Sequence, residues 1–434
     1  MAHGASLLNY HACPECALAL VVGPYCISQL ISLEMRANIG LFFNSAIHQR
    51  MIPFNKPFIV GKELHYIAQA VTMGNLGGDG HFTKACAQLM QERFGVHRIL
   101  MVPSCTAALE MAAMLCDLRP GDEVIMPSYT FVSTASAFVR LGVKPVFVDI
   151  RPDTLNIDEN LIEAAITERT RAICVVHYAG VACEMDKIMA ITRSHKLRVV
   201  EDAAQGVNSY YNGTALGSIG DLGCYSFHET KNYICGEGGA LCINDPELVE
   251  RAEIIRDKGT NRQRFFRGEV DKYTWVEIGS SYVPSEICSA FLYAQLEEMD
   301  RISQRRRDIY EAYLGALTPF AEEGLLQLPV IPENCQSNYH LFSVLLPTAK
   351  MRDALLSGLK MAGIHAVFHY VPLHNSPKGK EVCAEVVLPV TEDLSARLIR
   401  LPFYHDLMCS EQDAVIASIA GGLRDVLHAS ASAL

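Results

Sequence analysis

The sequence predicts an α/β protein: one large domain around a mainly parallel seven-stranded sheet, followed by a smaller C-terminal α+β unit. Three observations predict it. From about residue 81, short apolar runs bounded by turn residues alternate with longer amphipathic stretches, which is how strands covered by helices read. Seven such runs occur before Pro284. After Pro284 a helical stretch rich in Arg and Glu reaches roughly Ala316, and beyond it the pattern turns into a smaller mixture of strands and helices.

The strand candidates of the large domain are Ile99–Val102, Glu123–Met126, Pro145–Asp149, Ala172–Tyr178, Arg198–Glu201, Cys224–Phe227 and Ala240–Ile243. Between them, helices are expected at Thr106–Asp117, Val132–Leu141, Asp158–Ile166, Met185–His195 and Pro246–Asp257. In the C-terminal unit, strands are expected at Leu326–Leu328, Leu341–Leu346 and Ala366–Tyr370, with helices at Met351–Ala362 and Glu411–Leu423. The chain so divides into an extension (1–50), a large domain (51–284), and a connecting helix with a small domain (285–434).

The first 50 residues differ from the rest, with no Lys and only Arg36 and Arg50 as basic residues. The uncharged run from Cys16 to Leu33 is broken by Gly23, Pro24, Ser28 and Gln29, and no Lys or Arg precedes it. Neither a signal peptide nor a membrane span is expected. His11, Cys13 and Cys16 form an H-x-C-x-x-C cluster, but a structural zinc site uses four ligands and no second pair follows. Incidental thiols in a weakly structured, dispensable extension are the expectation, and no metal.

Composition narrows the function further. A chain of 434 residues, 50% of them hydrophobic, buries a large core and is no small binding module. Its net charge of -11 argues against a nucleic-acid surface, which needs clustered Lys and Arg. Fifteen cysteines scattered through apolar runs suit buried, reduced thiols, so a cytoplasmic location is expected.

The chemistry concentrates between Arg198 and Gly239. Asp202, in Glu201-Asp202-Ala203-Ala204-Gln205-Gly206, falls at the C-terminal end of a strand, where α/β sheets present their sites. A buried carboxylate there suits the protonated ring nitrogen of pyridoxal phosphate (PLP), whose electron-sink chemistry depends on that proton. Taken alone, such an Asp is more often a helix cap. Lys231 follows in Ser226-Phe227-His228-Glu229-Thr230-Lys231-Asn232, a strand running into a turn before the glycine run Gly236-Glu237-Gly238-Gly239. In a shielded pocket a lysine loses its proton and can form an imine with the cofactor aldehyde; a solvated surface lysine is the bland alternative. Ser226 is placed to donate to a phosphate. Ser104 and Thr106, at the expected start of a helix, add donors where the dipole and free N–H groups favour an anion. Phe131, after a strand in Ser128-Tyr129-Thr130-Phe131, is the candidate to stack on a flat ring.

These residues resemble the sugar aminotransferases of PLP fold type I, the family that aminates keto sugars attached to nucleotides. The resemblance spans Met51 to about Leu423, beginning with Met-Ile-Pro-Phe-Asn-Lys-Pro at residues 51–57. It is carried by PSCTAALEMAA from Pro103, PGDEVIMPSYTFVSTA from Pro120, VHYAGVACEMD from Val176, EDAAQGV from Glu201, SFHETKNY from Ser226 and RGEVDKYTWVEIGSSY from Arg267. It implies Lys231 as the Schiff-base lysine and proton shuttle, Asp202 as partner of the ring nitrogen, and Gln205 as a contact to the ring face or its O3'. It also implies Phe131 stacked on the ring, and Thr106, Ala107 and Ser226 on the phosphate. Asn261 would reach the phosphate of a neighbouring subunit, so a homodimer with shared sites is expected. The substrates implied are a TDP-linked keto sugar and L-glutamate. Two departures stand out: the family carries one more residue between the lysine and the glycine run, and it lacks the first 50 residues. The shorter loop is expected to shift the cofactor loop.

The acceptor's diphosphate points to the basic cluster Arg256, Lys258, Arg262, Arg264 and Arg267; a solvated helix face is its equally weighted alternative. Tyr282, His369, Tyr370 and His374 are candidates for the sugar end. Among competing readings, dehydratases of the same fold carry histidine where Lys231 stands, a PLP-fold sensor would carry an appended DNA-binding motif, and no strand leads into the G-x-G-x-x-G of a nicotinamide enzyme.

Overall fold

A computed structural model describes residues 51–431 of the protein. The expectations for the N-terminal extension, including the His11, Cys13 and Cys16 cluster, lie outside the described residues.

Seven strands build the main sheet: β1 (Arg98–Val102), β2 (Glu123–Pro127), β3 (Lys144–Val148), β4 (Thr170–Val176), β5 (Arg198–Asp202), β8 (Leu222–Ser226) and β9 (Gly239–Ile243). Between β5 and β8 lie the short strands β6 (Tyr210–Tyr211) and β7 (Thr214–Ala215). The sheet order is β1-β9-β8-β5-β4-β2-β3. Neighbouring strands are parallel except that β9 runs antiparallel to both β1 and β8. Strands β2, β8 and β9 are buried at every residue, as strands covered by helices on both faces must be. One face packs Ile173, Val199 and Tyr225 against Ile188 and Leu292; the other packs Val124, Cys174 and Leu241 against the helix Cys105–Leu115.

All seven expected strands of the large domain occur, and the helix Met185–His195 matches its expectation at both ends. The stretch after Pro284 is two helices, Glu286–Glu297 and Met299–Glu322. In the C-terminal part, β11 (Ser343–Leu345) pairs antiparallel with β12 (Leu398–Arg400), and β10 (Cys335–Gln336) joins β6. The strands expected at Leu326–Leu328 and Ala366–Tyr370 reduce to single bridges, Gln327 to Leu345 and Val367 to Arg400. Pro329, which has no N–H to give a ladder, ends the first of these; in the second, His369 and Tyr370 face a cavity instead of a sheet. A third core of Tyr313, Phe342, Leu359, Ile399 and Ile419 fills this part. Among the described residues no helix is long and apolar enough to cross a membrane, and the cysteines are free thiols, most of them buried.

The helix His81–Phe94 shows how distant sequence completes a local element. Its N-cap, Gly80, has no side chain to satisfy the first N–H groups. Glu286, itself in the first turn of the helix Glu286–Glu297, supplies the acceptor. Its carboxylate accepts from the backbone N–H of Gly80 (3.0 Å), Phe82 (2.8 Å) and Thr83 (3.1 Å), and from the Thr83 hydroxyl. The positive ends of two helix dipoles so share one buried anion. A Cβ at position 80 would lie 2.7 Å from the Glu286 Cδ, so only glycine leaves the carboxylate its place. Glu286→Ala strands three buried backbone donors and should lower unfolding stability by about 3 kcal/mol in a urea titration. A change below about 1 kcal/mol would show that water caps the helix equally well.

Candidate active site

The sheet register gathers the site at one edge. Gly239, the first residue of β9, pairs with Val102 at the end of β1 and with Ser226 at the end of β8. Asp202, the last residue of β5, pairs with Val176 and Cys224. The helix Cys105–Leu115 starts directly beyond β1, with Ser104 capping it by accepting from the Ala107 N–H at 3.1 Å. A Cβ on Gly239 would fall 2.4 Å from the Ser104 carbonyl carbon and 2.6 Å from the Cys105 nitrogen, so the absent side chain lets β9 abut the first turn. A cavity of about 580 Å³ opens there, and Thr106, Phe131, Asp202, Gln205, Ser226 and Lys231 all line it.

Lys231 and Asp202 share this cavity without forming an ion pair. The Lys231 amine lies deep in it, and burial pulls its pKa down against the raising influence of Cys105 and Asp202. Burial likewise raises the Asp202 pKa, opposed by hydrogen bonds from the Thr134 hydroxyl to Oδ2 (2.7 Å) and from the Ala204 N–H to Oδ1 (3.2 Å). Thr134 is itself held by Thr130 at 2.8 Å. One residue upstream, Glu201 is fully buried and accepts from the N–H groups of Gly217, Ile219 and Gly220, while its Oε2 lies 2.9 Å from His177 Nε2. Cys183 N–H points at His177 Nδ1 (3.2 Å), so the proton of that ring sits on Nε2, toward Glu201. Two rigid residues thus aim the carboxylate that follows them.

The loop carrying Lys231 closes on itself. Phe227 N–H donates to Gly238 O, Glu229 N–H to Gly236 O, Lys231 N–H to His228 O and Cys235 N–H to Phe227 O, with Gly236 at φ +82°. Despite the shorter spacing, Lys231 reaches the same cavity as Asp202. Thr106 Oγ1 lies 2.8 Å from Ser133 Oγ, and the Ala107 N–H is already engaged by Ser104. The Phe131 ring is 57% exposed and 6.4 Å from that of Tyr370, which leaves a face free at the cavity mouth. Gln205 is fixed at both ends, its Oε1 accepting from Ala179 N–H (2.7 Å) and its Nε2 donating to Tyr370 Oη (3.0 Å). Tyr178 Oη lies 3.0 Å from His369 Nδ1, and the Tyr129 hydroxyl donates to the His369 carbonyl. Burial, with Arg400 and Lys231 adding to it, pushes the His369 pKa well below its usual value, so the imidazole stays neutral.

Five of the expected residues do not line the cavity in the single chain: Ala107 follows Thr106 in the helix without lining it, and Asn261, Arg262, Tyr282 and His374 lie elsewhere. Asn261 Oδ1 accepts from the Thr274 N–H (2.8 Å), and the Arg262 guanidinium lies over Phe266 at 5.0 Å. Tyr282 donates to Glu110 (2.8 Å), its pKa pushed up to about 12 by burial and that carboxylate. His374 is buried between Ser128 Oγ (2.7 Å) and Glu392 (3.1 Å). Each member of the basic cluster already has a carboxylate partner: Arg256 with Asp79, Lys258 and Arg262 with Asp257, Arg264 with Glu250 and Glu269, and Arg267 with Glu253 and Glu269. The cavity in turn includes Phe54, His340 and Arg400, which sequence reasoning missed. Phe54 falls in the stretch at residues 51–57 without a role read for it there, and His340 and Arg400 sit in no motif; only their convergence in the fold distinguishes them.

The cavity fits PLP on the structure's own terms. A carboxylate held by two donors and an amine whose pKa burial lowers face one space without closing on each other, and a helix N-terminus borders it. Known proteins of similar sequence and structure agree. The chain is similar to the aminotransferase TlmJ from Streptoalloteichus hindustanus, with 30% identity and a TM-score of 0.80 over 87% of this chain and 100% of that one. It is similar to DesV of S. venezuelae, with 30% identity and a TM-score of 0.77 over 86% and 98%. It is also similar to Spr1654 from Streptococcus pneumoniae, described as a sugar aminotransferase and solved in PLP and PMP forms, with 26% identity and, for the PMP form, a TM-score of 0.81 over 88% and 99%. Residues 58–420 match the model of the DegT/DnrJ/EryC1/StrS aminotransferase family. A match across most of the chain, on this fold and around this cavity, makes the protein a PLP-dependent enzyme belonging to the DegT/DnrJ/EryC1/StrS aminotransferase family.

Proposed function

We propose that the protein moves an amino group from L-glutamate to C4 of TDP-4-oxo-6-deoxy-D-glucose, giving TDP-4-amino-4,6-dideoxy-D-galactose and 2-oxoglutarate, in the supply of enterobacterial common antigen. The observation that carries the reaction type is the Lys231 amine, its pKa lowered by burial, sharing a cavity with Asp202 without pairing to it. The acceptor is supported by the motifs from Met51 onward and by the sugar role described for a relative.

Bound PLP supplies the electron sink and carries the amino group between the two substrates. Lys231 Nζ, stripped of solvent, takes the proton from the donor's reacting carbon and later delivers one to C4 of the sugar. Asp202 holds the ring-nitrogen proton, and its fixed donors keep it from swinging toward Lys231. Phe131 would stack on the ring, and Gln205, clamped between Ala179 and Tyr370, would contact the ring face or its O3'. Thr106, Ser226 and the helix start after Ser104 would hold the phosphate, where the N–H groups of a first turn favour an anion. Because the Ala107 N–H serves the Ser104 cap, its contact would use a shared donor. His369 and Tyr370 face the sugar.

In this reading the protein works as a cytoplasmic homodimer whose lobes follow the division at residue 284. Asn261 and Arg262, outside their own chain's cavity, reach that of the neighbour, and Tyr282 and His374 support the walls that hold the sugar.

Lys231→Ala should abolish turnover with the melting temperature nearly unchanged, since it removes the proton carrier but little core volume. Normal turnover would refute the mechanism. Asp202→Asn, which leaves the shape but weakens the hold on the ring proton, should reduce kcat/KM by about 100-fold. An equal kcat/KM in that variant would remove Asp202 from the chemistry. The free keto sugar should be poorer than its TDP conjugate by about 100-fold or more, because remote binding energy holds C4 in place. Equal kcat/KM values for the two would overturn the nucleotide reading, and preference for a 3-oxo isomer would overturn the regiochemistry.

A further inference from the structure

Arg400 is a cation in this cavity to which the reaction above assigns no task. It ends β12, and its backbone N–H and C=O both pair with Val367, at 2.7 and 3.1 Å, which roots the side chain beside the His369–Tyr370 segment. The side chain lines the same cavity as Lys231 and Asp202. Its guanidinium carbon lies 4.7 Å from the centroid of the Phe54 ring, which holds it from one face. Nε is buried with no hydrogen-bond partner, and no carboxylate among the described residues forms an ion pair with the group. Arg306, the other guanidinium in this region, is satisfied: its Nε donates to Tyr339 O (2.9 Å) and its Nη2 to His340 O (2.5 Å).

Burying a guanidinium donor without an acceptor costs stability, and a protein keeps such a group in a cavity when a ligand brings the acceptor. Three anions come to this site: the cofactor phosphate, the acceptor's diphosphate and the donor's carboxylates. The phosphate has its place at Ser104, Thr106 and Ser226. A diphosphate is separated from the reacting carbon by the sugar ring. Arg400 acts electrostatically on Lys231, His340, His369 and Tyr370, so its charge sits near the reacting amine, where only a small amino acid places an anion.

We propose that Arg400 anchors a carboxylate of L-glutamate and thereby restricts the first half-reaction to amino-acid donors. The proposal rests on the transaminase reading above and deepens it. With the donor bound, the guanidinium gains charge-assisted hydrogen bonds of the strong, forked kind; with the neutral sugar ring in the same place, it faces hydroxyl groups instead. One cavity so serves two chemically unlike substrates in turn.

The test separates the half-reactions. Holoenzyme is mixed with L-glutamate alone and the absorbance change of its cofactor is followed. Arg400→Gln should raise the L-glutamate concentration for half-maximal rate by about 30-fold or more, with Arg400→Lys recovering part of the loss. The amine-loaded form of the same variants, given TDP-4-oxo-6-deoxy-D-glucose in a single turnover, should lose about threefold at most, because only contacts to neutral hydroxyl groups are given up. Calorimetry with glutarate, which carries carboxylates but no amino group, should show a matching loss of affinity without any turnover. An unchanged L-glutamate dependence, a parallel fall in both half-reactions, or wild-type holoenzyme that L-glutamate does not convert would each overturn the proposal. Conversion by L-glutamate with no nucleotide sugar accepted would sink the acceptor reading and leave Arg400 in its role.

Discussion

An amine and a carboxylate in one desolvated cavity draw together: if both are charged, a contact at about 4 Å in an effective dielectric near 20 is worth about 4 kcal/mol. The protein is arranged to prevent that approach between Asp202 and Lys231. Asp202 is pinned from behind by Thr134 and Ala204, with Thr130 and the buried His177–Glu201 pair as further support. Lys231 is held by a loop whose own N–H groups are turned inward. The gap they leave is the site, and the sheet register, the helix start at Ser104 and the close approach of Gly239 all serve to define its walls.

The half of the site that follows the strands of the main sheet was legible in the sequence. Asp202, Ser226 and Lys231 are tied to strand ends or the loop beyond, and Thr106 and Phe131 to turns directly after strands, so a correct strand assignment also places them. The opposite wall was not legible. Phe54, His340 and Arg400 come from three separated segments with little regular structure, brought together by single bridges and by the short ladder of β11 and β12. Period and composition carry no signal for such convergence. The basic cluster reads differently: charge alone suggested an anion, and in the fold Asp257, Glu253 and Glu269 of the same chain already stand beside these cations. The resemblance to a family added the chemical roles, which physical reasoning from isolated residues left open.

Glu286 and Glu201 make a related point about buried acids. Each collects several backbone N–H groups from a different segment, and neither faces the cavity. A buried carboxylate surrounded by amides organises backbone; one with few donors beside an unpaired amine does chemistry. Counting donors distinguishes the two where burial does not.

The reversed direction of β9 has a consequence for how this site tolerates change. Since β8 and β9 are antiparallel neighbours, the segment bearing Lys231 is a hairpin connection and not a crossover between parallel strands. A hairpin loop of this length can lose or gain a residue while the ladder from Ser226–Gly239 to Leu222–Ile243 keeps its register, because the added strain is spread over the loop and loop closure depends only weakly on length. Lys231 therefore hangs from a connection that tolerates editing, while Asp202 across the cavity is built into a central strand end, which does not. Variation in the lysine loop can retune the site without disturbing the scaffold that carries it.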